Sequence, residues 1–135
     1  MDFLDKNIEK YALSLSDSES ELLEEIHKHT LSKVHQPRMI SGHLQGRFLS
    51  FISRMIKPKN ILEIGTYTGY SALCLAEGLQ DNGKLITIDR DKSLKEKVSN
   101  FFSKSIFKNQ IEQKLGNAID IIPNLKSMFD LVFID

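Results

Sequence analysis

The segment ILEIGTYTGYS, Ile61–Ser71, brings an acid, two glycines and a serine within reach of one another. Gly65 and Gly69 allow a sharp turn and a close approach of main chain to a ligand, where a Cβ would intrude. Diphosphate-binding loops read G-x-G-x-x-G, their middle glycine letting backbone meet phosphate. Here Thr66, Tyr67 and Thr68 separate the glycines, and Glu63 stands at the end of the apolar run before them. A carboxylate repels a diphosphate but attracts an ammonium or a sulfonium, and S-adenosylmethionine carries both. As a bare pattern, two glycines four apart also fit an ordinary tight strand-to-helix turn, and that reading stays open at this point.

Asp89 supplies the second signal. LITIDRD, residues 85–91, is another buried-strand pattern ending in an acid, and Asp89 lies twenty residues past Gly69. An acid at the tip of the second strand of such a unit grips a ribose diol through paired hydrogen bonds. Asp91 is better placed to cap the helix that follows. A ribose reader suits NAD and S-adenosylmethionine alike, so it identifies a nucleoside without choosing between them. Other constellations have plainer readings. His27, His29 and His35 do not make a metal set, because i and i+2 on a helix face different ways and no cysteine or paired carboxylate completes a tetrahedron. His43 reads as a surface histidine at a helix start or as a substrate contact near Ser41. Tyr70 and Cys74 read as packing, and Tyr67 as a loop side chain within reach of a ligand.

Strands alternating with helices must position these groups. Residues 60–64, 84–88, 111–115 and 130–134 read as strands, with helices over 69–79 and 92–106 and a short one near 119–122. That alternation predicts a parallel sheet with right-handed crossovers and a ligand at the carboxyl ends of the strands. Ahead of it, one helix is expected over residues 2–14. A second begins at Ser18–Glu21 with capping-box spacing and an apolar stripe of Leu22, Leu23, Ile26 and Thr30. Pro37 breaks the chain. A third helix, over 42–56, carries Leu44, Phe48, Leu49, Ile52, Met55 and Ile56 on one broad face, and Leu94, Val98, Phe101, Phe102 and Ile106 mark the core face of a later one.

Eighteen basic and eighteen acidic side chains balance, so no basic excess exists to offset the phosphates of a nucleic acid. No apolar stretch reaches bilayer length, and MDFLDKNIEK lacks the basic start and apolar centre of a signal peptide. A cytoplasmic chain without membrane contact is the expectation. One cysteine excludes an intramolecular disulfide.

MISGHLQGRFLSFI, ILEIGTYTGYSALCLAEGL, LITIDRD, KLGNAIDIIPNL and FDLVFID occur in an order and spacing similar to those of the cation-dependent O-methyltransferases. The chain resembles that family, which includes catechol and caffeoyl-CoA O-methyltransferases and small bacterial relatives, from about Leu31 to Asp135. The resemblance implies an α/β, Rossmann-like class I methyltransferase fold: a parallel sheet of order 3-2-1-4 with helices on both faces, preceded by N-terminal helices. Residues 1–40 would form that helical segment, and 41–135 the S-adenosylmethionine-binding part. The resemblance implies that Met39 and Ser41 fold over the cofactor's methionine end and that Glu63, Gly65 and Tyr67 line its loop. Ser71, in the first turn of a helix whose positive end favours an anion, would bond the methionine carboxylate. Asp89 would hold the ribose, and Ala118 would lie against the adenine with Ile119 or Asp120 at its edge. Asp135 would border the cofactor and match the first metal-binding carboxylate.

The resemblance further implies a divalent cation such as Mg2+, a small catechol-like or phenolic hydroxyl acceptor, and a homodimer. Family members continue from F-I-D into A-D-K, whereas this chain stops at Asp135. The remaining metal ligands, the base and the last strands are therefore expected beyond it, with no catalytic base inside it. Two other readings stand beside this one. A nicotinamide-dependent oxidoreductase shares Asp89 but lacks the middle glycine, and a non-catalytic fragment would leave Leu131–Ile134 as an exposed apolar edge.

Overall fold

The computed structural model describes residues 4–135. Helices α1, Lys6–Ser14, and α2, Glu21–Lys33, come first; residues 2 and 3 of the expected first helix lie outside the described residues. Each start is capped by a side chain, Asp5 accepting the Asn7 N–H and Ser20 accepting the Leu23 N–H. The cap of α2 is thus Ser20, two residues later than the Ser18–Glu21 spacing suggests. Leu23, Ile26 and Thr30 are buried along α2, as their stripe predicts. A 3-10 turn, Pro37–Met39, then leads into α3, Gly42–Ile56.

Helix α3 has the predicted bounds but only part of the predicted face, Leu49 being buried and Leu44 and Ile52 half-buried. It buries Gly46, Leu49, Ser50 and Ser53, while Phe48, Met55 and Ile56 stay exposed. The reason is a close crossing with the following helix, α4, Tyr70–Ala76. A Cβ on Gly46 would come within 2.6 Å of the Tyr70 ring, and one on Gly78 would collide with Ser53. Polar groups finish the contact. Ser53 donates to the Leu75 carbonyl at 2.6 Å, and Arg47 and Ser50 donate to Glu77 at 2.7 and 2.6 Å. On the α3 side, three of the four buried residues are small, Gly46, Ser50 and Ser53, with Leu49 the one large apolar side chain.

The sheet comprises β1 (Asn60–Ile64), β2 (Lys84–Asp89), β3 (Ile111–Leu115) and β4 (Leu131–Ile134), with α4 between β1 and β2 and α5 (Lys95–Lys104) between β2 and β3. A short α6, Ala118–Ile121, and a 3-10 turn, Ile122–Asn124, precede β4. All pairings are parallel, in the order β3-β2-β1-β4, as expected. α5 starts later than Lys92 because Asp91 accepts both the N–H and the hydroxyl of Ser93, at 2.8 and 2.6 Å, which makes a turn there. Ile106, expected in the core, is 88% exposed because the chain leaves the helix at Ser105.

The main core lies between one sheet face and α2, α4 and α5, around Ile26, Ile61, Leu75, Leu85 and Phe101. A smaller cluster on the other face joins Leu62, Ile86 and Ile88 to Ala118, Ile121 and Phe129. Among the described residues, no helix is long and apolar enough to cross a membrane.

Candidate cofactor-binding site

Three loops meet at the carboxyl ends of the strands. The first runs from Gly65 to Gly69, the second follows Asp89, and the third is the Gly116–Asn117 turn after β3. Gly65 lies at φ +103 and Gly69 at φ +83, where L side chains are strained. What a Cβ would meet there is the protein itself: the Asp135 carbonyl oxygen at 2.8 Å from Gly65, and the Phe102 ring at 2.7 Å from Gly69. The turn's own packing therefore demands both glycines, before any ligand does. Gly69 serves as the N-cap and α4 begins at Tyr70, one residue later than expected.

Glu63 is fully buried, although an acid was expected at the ligand's charged end. The hydroxyls of Ser71 and Thr87 each donate to it at 2.5 Å, one to each carboxylate oxygen. Burial pushes its carboxyl up to about 7 against those two bonds, with Asp135 and Asp89 adding to the rise. In this arrangement the Ser71 hydroxyl is donated to Glu63, so two residues expected at the cofactor satisfy each other. Ser71 still borders a narrow crevice with Met39, Ile40, Ser41 and Asp135.

Asp89 sits half-buried at the tip of β2, with its carboxylate already aimed. One oxygen accepts the Tyr67 N–H at 2.8 Å and the other the Asp91 N–H at 2.9 Å. Tyr67 adopts φ +46, and its hydroxyl lies 3.1 Å from the carbonyl oxygens of His35 and Gln36, tying the α2–α3 connection to the loop.

Two adjoining cavities share Met39, Gly65, Asp89, Arg90 and Asp135. One, of about 330 Å³, continues past Ile64 and Ile88 to Gly116, Asn117 and Ala118. The other, of about 540 Å³, opens toward Lys33, His35, Gln36 and Ser93. Of the expected site residues, Met39, Gly65, Asp89, Ala118 and Asp135 therefore border one trough, and Tyr67 lines its second chamber. Ile119 and Asp120 do not line it; Gly116 and Asn117 stand there instead. Burial raises the Asp135 carboxyl above its ordinary value.

A larger cavity, of about 940 Å³, lies away from the strand tips beside Leu22, Leu73, Lys104 and Phe107. Its part-buried charges meet chiefly in the Arg47–Glu77 pair at 2.7 Å, which leaves Arg47 Nε without a partner.

Three of the histidines have separate partners. His27 pairs with Glu19 at 2.9 Å, His29 meets the Phe101 ring edge-on, and His43 Nε2 is 2.6 Å from the Asp17 carbonyl oxygen. Among the described residues, no three His, Cys, Asp or Glu side chains gather as a metal site.

Arg90, Asn117 and Thr87 were not singled out from the sequence. Thr87 had a usable signal, a hydroxyl inside the apolar run LITI, though only the folded register sets it beside Glu63.

The O-methyltransferase family model matches residues 13–135. A catechol O-methyltransferase from Niastella koreensis is 34% identical over 110 residues, covering 78% of this chain and 50% of the relative. The SAH-bound methyltransferase PaMTH1 from Podospora anserina superposes with a TM-score of 0.88 at 30% identity, over 96% of this chain and 56% of that one. The O-methyltransferase TomG from Streptomyces achromogenes, solved in complex with SAM, gives 0.87 at 32% identity, over 96% and 59%. The chain spans about half the length of the curated relative it matches.

Proposed function

The chain belongs to the O-methyltransferase family, and we propose that it holds S-adenosylmethionine for methyl transfer to a hydroxyl of a small catechol-like or phenolic acceptor. The observation that carries this reading is one trough that joins Asp89, Gly65, Asp135 and Ala118 at the strand tips. Its donor set fits the cofactor. The Gly116–Ala118 turn offers a surface for the adenine, and Asp89, held by two N–H groups, keeps lone pairs for a ribose diol. Met39, Gly65 and Asp135 border the methionine end. Asp89 and Asp135 outnumber Arg90 in the chamber that reaches Ala118, a balance that suits a sulfonium better than a diphosphate. The catechol-like acceptor is favoured by the activity named for the Niastella koreensis relative.

When bound, this cofactor supplies an electrophilic methyl group. The work of the chain's own residues is to bind the donor, orient it and limit water at the reacting end, which converts a bimolecular step into a positioned one. Tyr67, by fastening the His35–Gln36 carbonyls to the loop, keeps the α2–α3 connection and Met39 over the trough. A magnesium ion needs a near-octahedral oxygen shell. Asp135 offers one carboxylate, so the described residues alone do not fit that ion and provide no metal-assisted step.

Calorimetry with S-adenosylhomocysteine and NAD tests the assignment. The expected result is binding of the first and not the second. D89A is expected to weaken binding about tenfold or more, through loss of charge-assisted bonds to the ribose. A chain that takes up neither S-adenosylmethionine nor its product overturns it.

A further inference from the structure

The glycine loop is held from behind by a chain of hydroxyls. Thr87 Oγ1 lies 2.5 Å from Glu63 Oε2 and 2.6 Å from Thr66 Oγ1. Threonine has a single hydroxyl proton. Given to the carboxylate, it leaves Thr66 as the donor to Thr87, so the bonds run from Thr66 through Thr87 to Glu63. Ser71 closes the set at the other carboxylate oxygen at 2.5 Å. Glu63 and Thr87 are fully buried, Thr66 and Ser71 nearly so. Four pieces are thereby joined: β1, β2, the first loop residue after Gly65, and the first turn of α4.

Packing alone does not ask for a hydroxyl at position 87. Valine has the same branched shape, suits a buried parallel strand, and would avoid the cost of burying a polar group. The hydroxyl matters because of what stands next to Thr66. Tyr67 occupies a left-handed conformation that side chains seldom adopt, and its N–H orients the Asp89 carboxylate. Asp89 holds that peptide from the front, and the Thr66–Thr87 contact holds it from behind.

Resting on the reading of the trough as an S-adenosylmethionine site, we infer that Thr87 is a positioning residue, whose hydroxyl, shared between Glu63 and Thr66, sets the Gly65–Gly69 loop in register with Asp89. Thr87 itself lines neither chamber of the trough and acts through the groups that do.

Calorimetric titration of S-adenosylhomocysteine into the wild-type chain, T87V and T87S tests this. T87V, which removes both bonds of the hydroxyl, is expected to bind about tenfold more weakly. T87S, which restores the hydroxyl and lacks only the methyl, is expected within about twofold of wild type. T87V binding as tightly as wild type overturns the inference, and so does T87S binding as weakly as T87V. Should T87V fail to fold by circular dichroism, T66V and T66S probe the other end of the same chain of bonds. There T66V is expected to weaken binding several-fold and T66S to restore it, and T66V equal to wild type overturns the inference. A wild-type chain that binds no S-adenosylhomocysteine instead refutes the cofactor reading itself, before any variant is compared.

Discussion

Helices α4 and α6 each follow a strand of the same sheet and sit on its opposite faces, yet one is enclosed and the other bare. Every residue of α4 from Tyr70 to Ala76 is buried, whereas α6 buries none and Ile119 is 77% exposed. The contrast extends to the strands. β1 and β2 are buried through their middles, while β4 alternates between half-buried and exposed positions. On the closed side, even the polar groups are consumed internally: Glu63, Ser71, Thr66 and Thr87 among themselves, Glu77 by Arg47 and Ser50. The donor cradle is thus built where packing and hydrogen bonding over-determine each position. The flank from α6 to β4 carries apolar side chains that nothing within the described residues covers.

This contrast predicts that substitutions on the two sides cost unequally. F101A empties the centre of the closed core, where Phe101 has no exposure, and is expected to cost about 4 kcal/mol by urea denaturation. A loss under about 1 kcal/mol would erase the distinction.

Next in size is the ionisation of Glu63. Its folded carboxyl stands near 7 against 4.5 in the unfolded chain, so it favours folding most below pH 4.5 and loses that advantage as pH rises through 7. E63Q does not titrate. From pH 4.5 to 8, without ligand, wild type is expected to lose about 3 kcal/mol relative to E63Q. A stability gap between the two that stays flat with pH would show that the side chain is not enclosed as described.

Ser20 caps α2 at a partly buried site, and S20A is expected to cost about 1 kcal/mol by thermal melting. Smallest is M128S on the open flank, where Met128 is 88% exposed. It should stay within about 0.5 kcal/mol of wild type, and a large loss there would mean that the flank is not bare.

Much of this was readable in advance, and the failures have one origin. β1, α3 and β3 match their predicted bounds to the residue, because apolar periodicity and turn residues act locally. The parallel sheet followed from the alternation of elements, and its order from the family resemblance alone. The buried face of α3 was read only in part: Leu49 is buried as expected, but its partner α4 comes so close that Gly46 and Ser53 line the contact while Phe48 and Met55 stay exposed. Asp89 and Gly65, singled out from the sequence as ligand groups, border a trough at the strand tips, but the inward pairing of Glu63 with Ser71 was not foreseen.

From its residues alone, the chain declares where strands turn into helices and which turns must be glycine, since backbone sterics and hydrophobic spacing operate over a few residues. Folding in three dimensions settled which way the Glu63 carboxylate faces and what satisfies it. Its partners come from the neighbouring strand at Thr87 and from the helix beyond the loop at Ser71. Those contacts exist only once the parallel register sets Glu63 beside Thr87, a pairing between residues far apart in sequence that no local pattern encodes.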